Sequence, residues 1–521
     1  MTKIVNPFSH VSGPLLVPAS TRRAWLAQAA ALAGLPAALG AAGAADAPPA
    51  RGSRRPPVLN LSLEPDSLDP TMAPSAAVAE VVHGNVLEGL TRIEESGSVT
   101  GLLAQSWDMD GGGRGYTLRL RQGVRFHDGS ALDSAAVRFS FERAAAPGST
   151  NKARRALFDN IAHIATPDAH SVALTLHHAD VHLPFRLGEA TAAIVHPASA
   201  GQLAQAPVGT GPYQVVQRRR GHSITLGRAP QARAARQVRL DGAVFRFIHE
   251  PAEREAALRA GTVDLFFQFA TSTVRRFQDD VRYQVLLGSS SGKGMLALNQ
   301  RRAPLNDVRV RRAITHAIDR EGFIQRALDG HGTAIGSHFA PTDPGFLHLD
   351  SLYPHDPQRA RALLREAGVA TPLRLTLALP PAPYAHSGGS VLAEYLAAAG
   401  IQAELQKLSW QEWLSGPFRG QFDMTLINHV EPLDYLIYTD PEYYFGYDSP
   451  AFRTLAREYA QATAARQRQQ LFARLQRHLA HDAVNAWIFN PSIVTVVRKG
   501  LRGAWMNYPI FAHDIGAMWW D

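Results

Sequence analysis

The sequence predicts an α/β protein folded as two lobes. Three observations carry this. Strand-like and helix-like stretches alternate through most of the chain, several helical stretches stop at a glycine, and a strand after the last long helix leads back towards the first lobe. At 521 residues and 45% hydrophobic content, the chain can bury two or three cores. Its 42 glycines and 34 prolines lie among apolar stretches, which favours a loop-rich α/β arrangement over a helical bundle.

The N-terminus comes first. Ser20-Thr21-Arg22-Arg23-Ala24-Trp25-Leu26 is a twin-arginine pattern, followed by an Ala-rich apolar stretch broken by Gly34 and Pro36. Small residues at Gly43, Ala45 and Ala47 then offer cleavage sites. Residues 1–45 are therefore expected to be a Tat signal peptide, and 46–57 a disordered leader. No later run approaches 18 apolar residues, and without cysteine there is no N-terminal Cys to carry a lipid. The expectation is an exported periplasmic protein that is not lipid-anchored.

Val58-Leu59-Asn60-Leu61-Ser62-Leu63 alternates as a strand does, and 76–90 reads as a helix ending near Gly89. Two strands, 116–120 and 124–126, flank a turn at Gln122-Gly123, and Asp133 is placed to cap a helix over 134–143. Strands follow at 171–176 and 213–216, then a helix over 253–260 stopped by Gly261 and strands at 263–267, 283–287 and 295–299. After the last of these strands, which follows a Gly/Ser loop at 288–292, the pattern continues with helices over 308–328 and 358–367, the second ending at Gly368. Strand 373–377, helix 391–399 ending at Gly400 and strand 403–405 give the strand–helix–strand order of α/β folds. A helix over 451–480 and strand 493–497 close the chain. The expected division is lobe 1 over 58–290 with an inserted subdomain at about 93–200, lobe 2 over 291–490, and a return to lobe 1 over 491–521.

Catalytic motifs are poorly supported. Gly288-Ser289-Ser290-Ser291-Gly292 matches G-x-S-x-G, but a nucleophile elbow needs a helix after the turn, and Met295-Leu296-Ala297-Leu298 reads as strand. The same stretch with Lys293 falls short of a phosphate loop, because Gly294 stands where Ser or Thr is required. The 21 histidines show no i, i+4 pair in a helical context, so no metal site and no cofactor are expected. The formal charge of +8 comes almost wholly from arginine, with lysine only at 3, 152, 293, 407 and 499. Short runs such as Arg218-Arg219-Arg220 lie in segments with apolar periodicity and carry no interleaved aromatics, which argues against nucleic acid as a partner.

An ordered series of motifs is more informative. Leu68-Asp69-Pro70, Val86-Leu87-Glu88-Gly89-Leu90, Leu103-Ala104-Gln105-Ser106-Trp107 and the block from Tyr116 to Gly129 come in turn. They are followed by Gly209-Thr210-Gly211-Pro212-Tyr213, by Asp307-Val308-Arg309-Val310-Arg311 with Ala317-Ile318-Asp319-Arg320, and by His355-Asp356-Pro357 with Leu364-Arg365-Glu366-Ala367-Gly368. The series resembles the family 5 extracellular solute-binding proteins, the dipeptide-, oligopeptide- and nickel-binding group of ABC importers. The resemblance implies a two-lobed periplasmic-binding-protein fold (type II, large peptide-binding class) with an extra subdomain in lobe 1. It also implies a small-molecule or peptide ligand, and ABC permease and ATPase subunits as partners. A metal-chelate or haem receptor on the same scaffold, with His429 as its best candidate, is the alternative, and an exported serine hydrolase using Ser290 a more remote one.

In peptide-binding relatives an acidic residue after a Trp-containing strand pairs with the ligand's α-amino group. Ungapped matching places Glu431 there, Asp434 on the acid three residues later and Asn428 on the Trp position. His429 lies between them, Met72, Pro74 and Ser75 fall where relatives approach the ligand, and Tyr384 is placed either to line the pocket or to pack. The relatives' Arg for a ligand carboxylate is missing, since Ala382 stands in Leu379-Pro380-Pro381-Ala382-Pro383-Tyr384.

Overall fold

The computed structural model describes residues 55–73, 75–267, 274 and 277–521, so the predicted signal peptide, most of the leader and Pro74 lie outside the described residues. Two mixed sheets organise the chain. The first has seven strands in the order Tyr283–Gly288, Ile493–Arg498, Leu265–Phe266, Val58–Leu61, Gly242–Phe247, Ser223–Arg228, Tyr213–Arg219. The second has six, in the order Gly332–Ala334, Ala486–Pro491, Lys293–Leu298, Met424–His429, Leu373–Leu379, Ile401–Lys407.

Both faces of the second sheet are buried. Along the strand Lys293–Leu298, Leu296 and Leu298 face one core, made with helices Val308–Ala317, Pro357–Glu366 and Pro383–Ala398. Met295 and Ala297 face the other, an aromatic core that includes Tyr435, Tyr438, Tyr444 and Trp487. The period of two along a strand buried on both faces explains its almost unbroken apolar run.

A separate four-stranded antiparallel sheet forms the inserted subdomain, in the order Ala104–Met109, Gly115–Leu120, Ser171–Leu176, Ile161–Asp168. Helix Ser134–Ala145 packs on it and starts as expected, the Asp133 carboxylate accepting from the Ala136 N–H at 3.0 Å.

The chain passes between the two large sheets twice. Tyr283–Gly288 ends the first crossing's origin and Lys293–Leu298 begins its destination, while Ala486–Pro491 and Ile493–Arg498 are separated by Ser492 alone. Buried Asn490 ties the crossings together, its Nδ2 donating to the carbonyls of Ser290 at 2.8 Å and Gly292 at 2.6 Å. Strand therefore precedes and follows Ser290, so no nucleophile elbow forms there.

The structure corrects several sequence boundaries. The helix expected over 76–90 stops at Val82, because Asn85 turns inward to donate to the carbonyls of Val81 and His513. The following backbone packs against the Gly209-Thr210-Gly211 turn, where a Cβ on Gly209 would lie 1.8 Å from the Val86 carbonyl oxygen. The helix over 308–328 is two, Val308–Ala317 and Arg320–Ala327, the second capped by Asp319 accepting from Gly322 N–H at 3.0 Å. The helix over 451–480 is likewise Pro450–Gln461 and Ala465–His481. The helix expected to start at 391 begins at Pro383, proline being favoured in a first turn. Residues 124–126 form only an isolated bridge between Arg125 and Ala131.

Asn490→Ala removes the donor shared by the two crossings and leaves the Gly292 carbonyl short of a partner. The expected loss is about 1–3 kcal/mol, read as a lower urea midpoint at unchanged m-value.

Candidate ligand-binding site

The strand Met424–His429 pairs antiparallel with Lys293–Leu298, and the register sets Lys293 opposite His429. Beyond the strand the chain turns sharply at Leu433, whose φ of 54° is left-handed, and enters a 3₁₀ turn at Asp434–Thr439. That conformation is unfavourable for a branched side chain and marks a loop held by its surroundings.

What holds it is buried beneath. The Lys293 ammonium donates to Asp434 Oδ1 at 2.7 Å and to the backbone carbonyl of Glu431. His338 Nε2 lies 2.8 Å from the same Oδ1, and His429 Nδ1 lies 3.1 Å from Oδ2. The network continues through Tyr438 Oη, 2.9 Å from His338 Nδ1, to Asn485, and through Tyr444 Oη, 3.1 Å from His429 Nε2. Every contact is satisfied when each imidazole donates to Asp434 and accepts from its tyrosine. Burial alone would push the Asp434 carboxyl up, but His338, Lys293 and hydrogen bonds from both histidines hold it well below the usual range. Burial pushes His338 down to about 4 against the pull of Asp434.

Donor atoms of His338, His429 and Asp434 lie within 4.8 Å of one another, a spacing that could hold a cation. The Lys293 ammonium already sits on the shared carboxylate, so the trio reads as a hydrogen-bonded anchor.

Of the residues singled out in the sequence, five gather on this face of lobe 2. Asn428 N–H donates to Tyr384 Oη at 3.1 Å, and Asn428 Oδ1 is buried without a hydrogen-bond partner among the described residues. His429 and Asp434 belong to the buried network. Glu431 stands above it with its side chain 51% exposed, and its Oε1 lies 3.3 Å from Lys152 Nζ of the inserted subdomain. Met72 is on lobe 1, half-buried, its carbonyl accepting from the Thr150 hydroxyl two residues before Lys152. Tyr444 and Phe445 are core residues of lobe 2. A small cavity at the crossings is lined from both lobes, by Phe267, Ile493, Tyr508 and Phe511 on one side and Ser291 and Val430 on the other.

The sequence patterns assign no part in the site to Lys293, His338 or Lys152. A charged residue in an otherwise apolar strand was the available signal for Lys293. Nothing local signals Lys152, whose partner is 279 positions away.

The two lobes joined by paired crossings, the inserted subdomain and a polar loop facing the gap define a binding protein of the two-lobed class. Residues 98–447 match the bacterial extracellular solute-binding proteins, family 5 (Middle), and the chain belongs to that family. It is a solute-binding protein and not an enzyme. It is similar to di/tripeptide-binding protein 1 of Pseudomonas aeruginosa (strain UCBPP-PA14), with 26% identity over 427 residues, 75% of this chain and 79% of the relative. Among solved structures, HbpA2 from Haemophilus parasuis superposes with a TM-score of 0.82 at 20% identity, covering 90% of this chain and 100% of that one. The periplasmic murein tripeptide-binding protein MppA, in its unliganded open form, gives 0.81 at 19% identity, covering 90% and 98%.

Removing either member of the buried pair strands the other charge. Lys293→Met or Asp434→Asn is expected to cost about 3–5 kcal/mol, and the double variant less than the two single losses together, by urea denaturation. His338 gives a pH signature. Its folded value of about 4 lies below the 6.5 of an unperturbed histidine. Between those values the unfolded chain takes up a proton that the folded chain refuses, so this histidine's contribution to stability falls as pH falls. Wild type should lose up to about 1.4 kcal/mol per pH unit relative to His338→Gln across this window. A stability difference constant from pH 6.5 to 4.5 would show that His338 does not titrate in this way.

Proposed function

We propose that this protein is the periplasmic receptor of an ABC importer and captures a short peptide, or a similar small amine-bearing solute, between its lobes. The observation that carries the reading is Glu431. Its backbone carbonyl is fixed from below by Lys293, while its carboxylate remains accessible at the face turned towards lobe 1. A fixed, accessible carboxylate is suited to a ligand ammonium, and exclusion of water on closure would strengthen that pair. The names of relatives agree with this reading: one is a di/tripeptide-binding protein, and one solved structure is a murein tripeptide-binding protein.

In this reading Glu431 meets the ligand's amine, and Asn428 and Met72 contribute to the walls. His429, Asp434 and Tyr384, whose polar atoms are engaged within lobe 2, hold the loop in place. Ligand capture shifts the lobes towards a closed form that the permease and its ATPase recognise. The twin-arginine pattern at Arg22-Arg23 supports export by the Tat route, and the absence of cysteine supports a receptor free of a lipid anchor.

Native mass spectrometry of protein purified from periplasm, followed by denaturing release, should yield a peptide or other amine-bearing solute. Release of a nickel or iron chelate would replace the peptide reading. Glu431→Gln should weaken the released solute's binding roughly 30-fold or more in calorimetric titration, with no effect on folding because the carboxylate is half exposed. Replacing Arg22-Arg23 by a lysine pair should retain the precursor in the cytoplasm.

A further inference from the structure

The segment where relatives keep an Arg for the ligand carboxylate offers no cation here. Ala382 is fully buried and begins the helix Pro383–Ala398 as its N-cap. A cation does reach the site from the opposite side. Lys152 extends from the inserted subdomain to within 3.3 Å of Glu431, and the two side chains are 65% and 51% exposed. An exposed pair of this kind contributes too little to hold two lobes together, so stability does not account for the placement.

The backbone around Lys152 is fixed although its ammonium is free to swing. Asn151 Nδ2 donates to the Thr191 carbonyl at 2.9 Å, and Asn151 Oδ1 accepts from Ala153 N–H at 2.8 Å. The Thr150 hydroxyl donates to the carbonyl of Met72, so the ammonium is delivered beside the residue expected to line the lobe 1 wall. The surroundings carry charges of both signs, and half-buried Glu189 lies close enough to act on both Lys152 and Glu431. Next to the loop, a groove of about 800 Å³ between the subdomain and lobe 2 is lined by Arg155, Arg186, Arg453 and Arg457 against Asp159 and Asp180. Asp180 is taken by Arg186 at 2.8 Å.

We propose that Lys152 is the partner of a ligand carboxylate, so that this receptor selects short zwitterionic peptides whose two charged ends replace the Lys152–Glu431 pair. The proposal rests on the peptide reading above. The ligand ammonium takes the Glu431 carboxylate and displaces Lys152, whose ammonium then meets the ligand's free carboxylate. An extended chain spans about 3.3–3.6 Å per residue, so a dipeptide or tripeptide lies within reach of two long side chains that swing apart. Without a free carboxylate, the displaced ammonium loses its contact with Glu431 and keeps only the attraction of nearby Glu189.

The test uses a defined mixture of di- and tripeptides in three forms: free, C-terminally amidated and N-acetylated. Retention on the full-length protein is quantified by mass spectrometry. Wild type should retain free peptides at least about tenfold over their amides. Lys152→Ala should reduce that ratio to below about twofold, and Lys152→Arg should largely restore it because charge is kept. Equal retention of free and amidated peptides by wild type, or an unchanged ratio in Lys152→Ala, overturns the role of Lys152 and leaves the peptide reading standing. Retention of no peptide in any form overturns both.

Discussion

A single buried ion pair, Lys293 with Asp434, fixes the geometry on which the site depends. An ammonium removed from water needs an opposite charge and hydrogen-bond acceptors, and here Asp434 and the Glu431 carbonyl supply them. Asp434 in turn receives His338 and His429, which draw in Tyr438 and Tyr444 from the aromatic core. The loop is thus bonded to a strand, to the segment bearing His338 and to the core beneath. This multiple attachment offsets the strained backbone of Leu433. Glu431 gains a rigid base without surrendering its carboxylate.

The same pair shows what the sequence could and could not disclose. Periodicity marked most strands, and glycine stops such as Gly261 marked helix ends, because both follow from local geometry. Breaks inside long helical patterns were hidden. Asp319 is both a tolerable helix residue and a cap, and only packing decides which. Asn85 ends its helix through a bond to His513, 428 positions away, which no local pattern contains. At the site, an ordered family resemblance leads to Glu431, whereas the local pattern offers Lys293 only as part of a failed phosphate loop. Its meaning depended on the register that sets it opposite His429.

The position of Lys293 also links the site to the crossings. It follows Gly292 directly, and Gly292 and Ser290 are held by Asn490 from the second crossing. Ser291 adds a hydrogen bond at 2.6 Å to the Val430 carbonyl, immediately before Glu431. The first crossing and the loop are therefore bonded at consecutive residues on each side: Ser291 to Val430 and Lys293 to Glu431 and Asp434. Rotation of lobe 2 about the crossings must carry the loop as one piece, because bending between them would break buried polar contacts. Met72 and Lys152 belong to the other body, tied to each other through Thr150 and to the helix Ser134–Ala145 through Arg143 and Asp69. Lys152 and Glu431 thus extend from two separately braced backbones, and the inter-lobe angle sets the distance that their side chains must span. A ligand whose charged ends match that distance stabilises one angle over others, which is the differential interaction a conformational change requires.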